Sequence, residues 1–270
     1  MTSFQQLDRA EIGIFGGSGF YQFLDQVEEV TVETPFGSPS DRYFVGEIGG
    51  RRVAFLPRHG RHHTLPAHQI NYRANLWGMK QLGVQRIISP CAVGSLQKEI
   101  APGSFLLMDS YVDRTSGRAD TFYDGPITTH VSAAEAYSPA MRQAAIEVAK
   151  AQGIELHESG TVVVIQGPRF STVSESRWFS QAGWQVINMT QYPEVHLAKE
   201  LELEVLGIAL VTDYDCGLVG DVAPVTHEQV LEVFSANLSR LRDYLFALIP
   251  ALPSGPSAWA GKVIPHSRYV

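Results

Sequence analysis

Along the chain, short runs of consecutive apolar residues alternate with stretches whose apolar positions recur every three or four residues, the pattern of an α/β domain on a largely parallel sheet. The first run, residues 11–15 (EIGIF), predicts a strand that empties into the glycine-rich segment 16–19. Residues 42–47 and 51–56 flank Gly49-Gly50 and predict a hairpin, which puts an antiparallel edge on the sheet. Helical spacing predicts a helix over 67–82, then a short buried strand at 85–89 and a loop at 90–95. A strand is expected at 105–112, a helix at 138–152 opened by Ser138-Pro139, and a strand at 160–166 (GTVVVIQ). The alternation continues with a strand at 185–188, an amphipathic helix at 194–203, a fully apolar strand at 205–212 and a long closing helix at 226–248.

These elements imply a single α/β domain over 1–270, a central mixed β-sheet flanked by helices. Pro, Gly and Ser cluster only in a tail at about 250–270, where Trp259 favours docking on a neighbouring chain over a loose end. The longest late aliphatic run, 205–211, is far short of the ~20 residues that span a bilayer, so no membrane association is expected. The chain carries 21 Lys+Arg against 28 Asp+Glu, a net charge of −7, without a block of like charges. No nucleic-acid partner is therefore expected. The opening residues lack a charged stretch followed by an apolar one, and only Cys91 and Cys216 occur, so the sequence reads as cytoplasmic with reduced thiols.

In open α/β sheets, ligands sit beyond the carboxyl ends of the strands. Gly16-Gly17-Ser18-Gly19 offers backbone N–H groups and a hydroxyl to an anion, yet fits neither a dinucleotide fingerprint nor a P-loop, and a plain tight turn would use the same residues. After the hairpin come Arg58, His59, Arg61, His62 and His63, donors with no carboxylate nearby in sequence, suited to an oxyanion. A metal set of His59, His62, His63 and His68 is the rival; adjacent arginines oppose it and no carboxylate or thiolate completes it. A solvated basic loop is the plainer alternative. Asp213 and Asp215 end an apolar strand and, on an extended backbone, project to one side roughly 7 Å apart. Phe170 and the segment Asn188-Met189-Thr190 each follow a strand, offering a stacking face and a further hydroxyl. Together these residues suggest an inorganic oxyanion beside a nitrogen heterocycle.

GIFGGSGF, LPRHGRHHTLPAHQINYRAN, AVGSL, DRTSGRADTFYDG, QGPRFST with SES, INMTQYPEVHLAKE and TDYDCG resemble, in order and spacing over residues 12–245, the methylthioadenosine phosphorylases of the trimeric purine nucleoside phosphorylase superfamily. The resemblance implies a homotrimer that cleaves a purine nucleoside with phosphate as co-substrate, without metal or organic cofactor. It assigns phosphate to Ser18, Arg58, His59, Ala92, Thr190 and the position of Cys91, where other members carry a hydroxyl. Phe170 and Met189 would bracket the nucleoside, Asp213 and Asp215 would address the purine, and His130 would reach the neighbouring subunit's sugar pocket. Arg58 and His59 would hold the attacking phosphate, and Asp213 would protonate the leaving base at N7. Such an acid must be pushed from about 3.9 towards 7. A carboxylate there suits a 6-amino group, as relatives acting on 6-oxopurines carry Asn. His227 stands near the 5′ end, where methylthioadenosine enzymes carry an aliphatic residue, and predicts adenosine as a secondary substrate. The competing functions are a broader adenosine or inosine phosphorylase and an inactive nucleoside-binding relative.

Overall fold

A strand as uniformly apolar as residues 205–211 needs cover on both faces, and the fold supplies it. The computed structural model describes residues 7, 9–16, 25–126, 129–216 and 226–262. In chain order the elements are β1 (Ile12–Gly16), β2 (Asp25–Val30), β3 (Tyr43–Ile48), β4 (Arg51–Pro57), α1 (Tyr72–Gln81), β5 (Arg86–Ser95), β6 (Phe105–Leu107), β7 (Ser110–Arg114), α2 (Pro139–Gln152), β8 (Leu156–His157), β9 (Thr161–Ile165), α3 (Val173–Gln181), β10 (Val186–Asn188), α4 (Gln191–Glu200), β11 (Glu204–Asp213) and α5 (His227–Ala251). All strands join one mixed sheet in the order β2-β3-β4-β1-β5-β10-β9-β7, with β11 branching from β5 to β6 and β8. Val205, Ala209 and Val211 of β11 face a core shared with α1 and α4. Leu206, Ile208 and Leu210 face a second core filled by α2 and α5. The predicted α/β class and the hairpin are both present, with β3 and β4 antiparallel across Gly49-Gly50. Both glycines have positive φ, 55° and 78°, the backbone that a two-residue hairpin turn of this kind requires.

Several expected boundaries differ. Residues 90–95 are not a loop but the second half of β5, hydrogen-bonded to β11 along its length. Pro90 is tolerated because it falls after β5 has left β1 at Ile88 and before it meets β10 at Gly94, so its missing N–H costs no partner on that side. The run 105–112 is two strands: at Met108 and Asp109 the backbone N–H groups switch from the Gly207 carbonyl to that of Gly160, carrying the chain from β11 to β9. Helix α1 starts only at Tyr72, since the Asn71 side chain caps it by accepting from the Ala74 N–H. Helix α4 begins earlier than expected, at Gln191, and is non-helical at Tyr192, as suits a residue preceding proline. Strands β2 and β8 and helix α3 were not anticipated. The tail up to residue 262 packs on its own chain: Arg86 donates to the Gly255 carbonyl, Ala258 N–H to Glu204, and Trp259 is buried beneath Lys199. No helix among the described residues is long and apolar enough to cross a membrane.

Candidate active site

The carboxyl ends of β4, β5, β9, β10 and β11 converge on one cavity of about 850 Å³, walled on the far side by α5. Arg58, His59, Cys91, Ala92, Phe170, Met189, Thr190, Asp213 and Asp215 all line it. Of the other expected site residues, Ser18 lies outside the described residues. His130 is exposed and does not line its own chain's cavity. His227 opens α5, but its side chain is outside the description. Of the four histidines weighed as a metal set, His62 and His68 stay out of the cavity, and no cluster of three metal-ligating residues occurs among the described residues.

At one end, β4 delivers Arg58, which is only 3% exposed. The sequence placed no carboxylate near it; the fold does. Glu194, in the first turns of α4, takes a bidentate pair from Arg58 Nε (2.6 Å) and Nη2 (2.8 Å), and Ser89 Oγ accepts from Nη2 at 2.9 Å. Burial works against the guanidinium's charge, but the adjacent Glu194 outweighs it and holds the Arg58 pKa above its ordinary value. Arg61 likewise pairs with Asp41. His59 Nδ1 contacts the Leu65 carbonyl at 2.9 Å, and since that oxygen can only accept, Nδ1 carries the proton. Burial, reinforced by Arg58 and His63, lowers the His59 pKa to about 4. The ring is thus neutral and its Nε2 is an acceptor rather than the second donor expected from sequence. Cys91 accepts from Asn188 Nδ2 at 3.3 Å, and burial pushes its thiol up to about 11, so it remains protonated. Thr190 precedes α4 without a side-chain capping bond to it, and it lines the cavity.

At the other end, Asp213 closes β11, where the register with β5 shifts. Thr212 Oγ1 donates to it at 2.7 Å and the Asp215 N–H at 2.7 Å. Burial dominates these hydrogen bonds and raises its pKa to about 6; the nearby Asp215 adds a smaller push. The extended arrangement of 213 and 215 does not hold: Asp215 adopts φ of 48°, and its carboxylate accepts from Ser171 (2.9 Å) and Ser176. It lines the cavity while tying the segment behind Phe170 to the start of α3. Phe170, 40% exposed, lines the cavity. Gly167, with φ of 64°, lies so close to Met189 that a Cβ there would stand 2.6 Å from the sulfur.

Sequence reasoning missed five features. Glu194, Ser171, Ser176, the apolar α5 wall of Val230, Phe234 and Leu238, and Arg118 only emerge in three dimensions. Arg118 donates to the carbonyls of Gln166, Met189 and Tyr192, holding the β9 and β10 ends in register. Only the Thr172–Glu175 capping box that starts α3 carries a readable signal, the T-x-x-E spacing.

The raised Asp213 pKa carries a stability consequence. The folded chain binds this proton up to about pH 6, whereas an unfolded Asp releases it near 3.9. Folding stability therefore falls as pH rises from about 4 to 6 through this group and is regained on acidification. Thermal unfolding across that window is expected to show a shallower decline in Asp213→Asn; an identical pH dependence in both proteins contradicts the burial argument.

The model of the phosphorylase superfamily matches residues 11–250. A purine nucleoside phosphorylase of Streptomyces coelicolor is 51% identical over 91% of this chain and 90% of its own length. An S-methyl-5′-thioadenosine phosphorylase of Thermofilum pendens is 47% identical, covering 92% and 94%. The methylthioadenosine phosphorylase of Schistosoma mansoni, solved with adenine, superposes with a TM-score of 0.90 at 35% identity over 96% of this chain and 99% of that one.

Proposed function

The chain belongs to the phosphorylase superfamily, and on that footing we propose that it cleaves S-methyl-5′-thioadenosine with inorganic phosphate to adenine and 5-methylthioribose 1-phosphate. The observation that carries this reading is one cavity with an oxyanion end at Arg58 and Thr190, a half-buried, partly protonated Asp213 at the other end, and an apolar α5 wall.

The chemistry follows from the placement. Phosphate at the Arg58 end lies beneath the sugar, where its negative charge stabilises an oxocarbenium-like C1′ as the bond to N9 lengthens, and one of its oxygens then captures C1′. Asp213 delivers its proton to N7, so the base leaves neutral. The Asp213 carboxyl also complements an exocyclic 6-amino group, whereas a 6-carbonyl calls for an amide donor. Phe170 stacks on the purine. Val230, Phe234 and Leu238 give the cavity an apolar α5 wall, which favours a methylthio group over a hydroxyl at the 5′ end. Ser235 on the same wall supports adenosine as a secondary substrate. The reaction as written needs no metal or organic cofactor. We place the enzyme in the cytoplasm as a homotrimer in which His130 completes a neighbour's sugar pocket, in a route that salvages methionine and purine.

The likeness to the Streptomyces enzyme favours one second reading, a phosphorylase of broader purine nucleosides. Initial rates of base release from methylthioadenosine, adenosine, methylthioinosine and inosine separate the two. Adenine release led by methylthioadenosine is expected; faster release of hypoxanthine overturns the argument from Asp213.

A further inference from the structure

We propose that Glu194, which never touches substrate, is a positioning residue that sets phosphate recognition by fixing the guanidinium of Arg58. The inference rests on the reading that phosphate occupies the Arg58 end of the cavity. Arg58 has five N–H hydrogens. Glu194 takes two of them, Ser89 Oγ a third, and the Pro90 carbonyl, at 3.3 Å from Nη1, a fourth. Among the described residues, one N–H on Nη1 is left for a ligand. Glu194 is itself braced, since Ser89 Oγ donates to its Oε1 at 2.6 Å while accepting from Gln191 Nε2 at 2.7 Å. The Gln191 amide oxygen in turn accepts from the Tyr137 hydroxyl at 3.0 Å. Every member of this chain is at most 3% exposed.

Two consequences follow. The guanidinium plane is fixed before phosphate arrives, so ordering it costs the ligand nothing on binding. Its charge is also matched by Glu194 inside the protein, so the oxyanion is held by a directed N–H and the Thr190 hydroxyl rather than by a bare cation. Phosphate and the phosphate ester product can then both be released.

The test is Glu194→Gln. Glutamine offers one acceptor and one donor group to two parallel Arg58 donors, so the fork cannot close. The KM for phosphate is expected to rise about tenfold or more, while the KM for the nucleoside stays within about twofold. A role confined to folding would move both constants together or only lower the unfolding temperature. Ser89→Ala removes the brace without leaving a buried charge, and provides the measurement should the first variant fail to fold; it is expected to raise phosphate KM about threefold. An equal rise in both KM values, or an unchanged phosphate KM, overturns the proposal. Calorimetric titration with inorganic phosphate alone separates this from the functional reading. A wild-type chain that binds phosphate but cleaves no nucleoside sinks the function, while weaker phosphate binding by the variants still upholds the role of Glu194.

Discussion

Asp213→Asn is expected to lower kcat/KM for adenine release from methylthioadenosine by about two to three orders of magnitude, the range for losing a positioned general acid. The substitution keeps the shape, and its single amide oxygen can keep the hydrogen bond from the Asp215 backbone while the Thr212 hydroxyl, which donates to the other carboxylate oxygen, turns to accept from the new amide nitrogen. What it removes is the proton that the departing purine needs. Asparagine also presents an amide donor to position 6 of the base, so activity on inosine relative to adenosine is expected to rise as adenine release falls. The pH profile supplies an independent check. With the wild-type carboxyl ionising at about pH 6, kcat/KM declines as pH rises above that value, because the acid form disappears. The Asn variant lacks this limb. A variant with wild-type rates, or one that keeps the alkaline decline, shows that the proton comes from elsewhere.

Arg58→Met is expected to abolish phosphate-dependent turnover and, separately, to destabilise the fold by about 3–5 kcal/mol, the cost of leaving one member of a buried ion pair unpartnered. Glu194 is 1% exposed, so water cannot replace the lost guanidinium. The double variant Arg58→Met with Glu194→Gln separates the two effects. Removing the stranded charge is expected to restore most of the stability in urea titrations while turnover stays absent. If the single variant unfolds at the wild-type urea concentration, the pair carries no folding energy and the buried network is not the organising feature of this end of the cavity.

Legibility in the sequence followed the range of the interactions. The central strands were readable because they are contiguous apolar runs, whereas the polar β2 and the two-residue β8 carry no such signal, and the residues at the ends of β4, β9, β10 and β11 could be collected as site candidates because ligand sites lie at those ends. Arg58, Phe170, Thr190 and Asp213 were found in this way. The partners that set their chemistry were not, because they come from far away in the chain. Glu194 lies 136 residues beyond Arg58, and its local surroundings read as an ordinary amphipathic helix. Ser176 meets Asp215 only once α3 has formed against the β11 end. The protonation of His59 depends on a carbonyl six residues on, at Leu65, reached through a local loop geometry that carries no periodicity. The expected loop at 90–95 was wrong for a related reason. Proline reads locally as a break, and only the three-way pairing of β5 with β1, β11 and β10 makes it harmless.

The most direct test of the account is the fate of methylthioadenosine with and without inorganic phosphate, with adenine and the sugar product quantified together. The account predicts that adenine appears only when phosphate is present and in equal amount with 5-methylthioribose 1-phosphate. Adenine release at the same rate without phosphate, yielding the free sugar, would contradict it by showing that water rather than an oxyanion held at Arg58 captures the sugar.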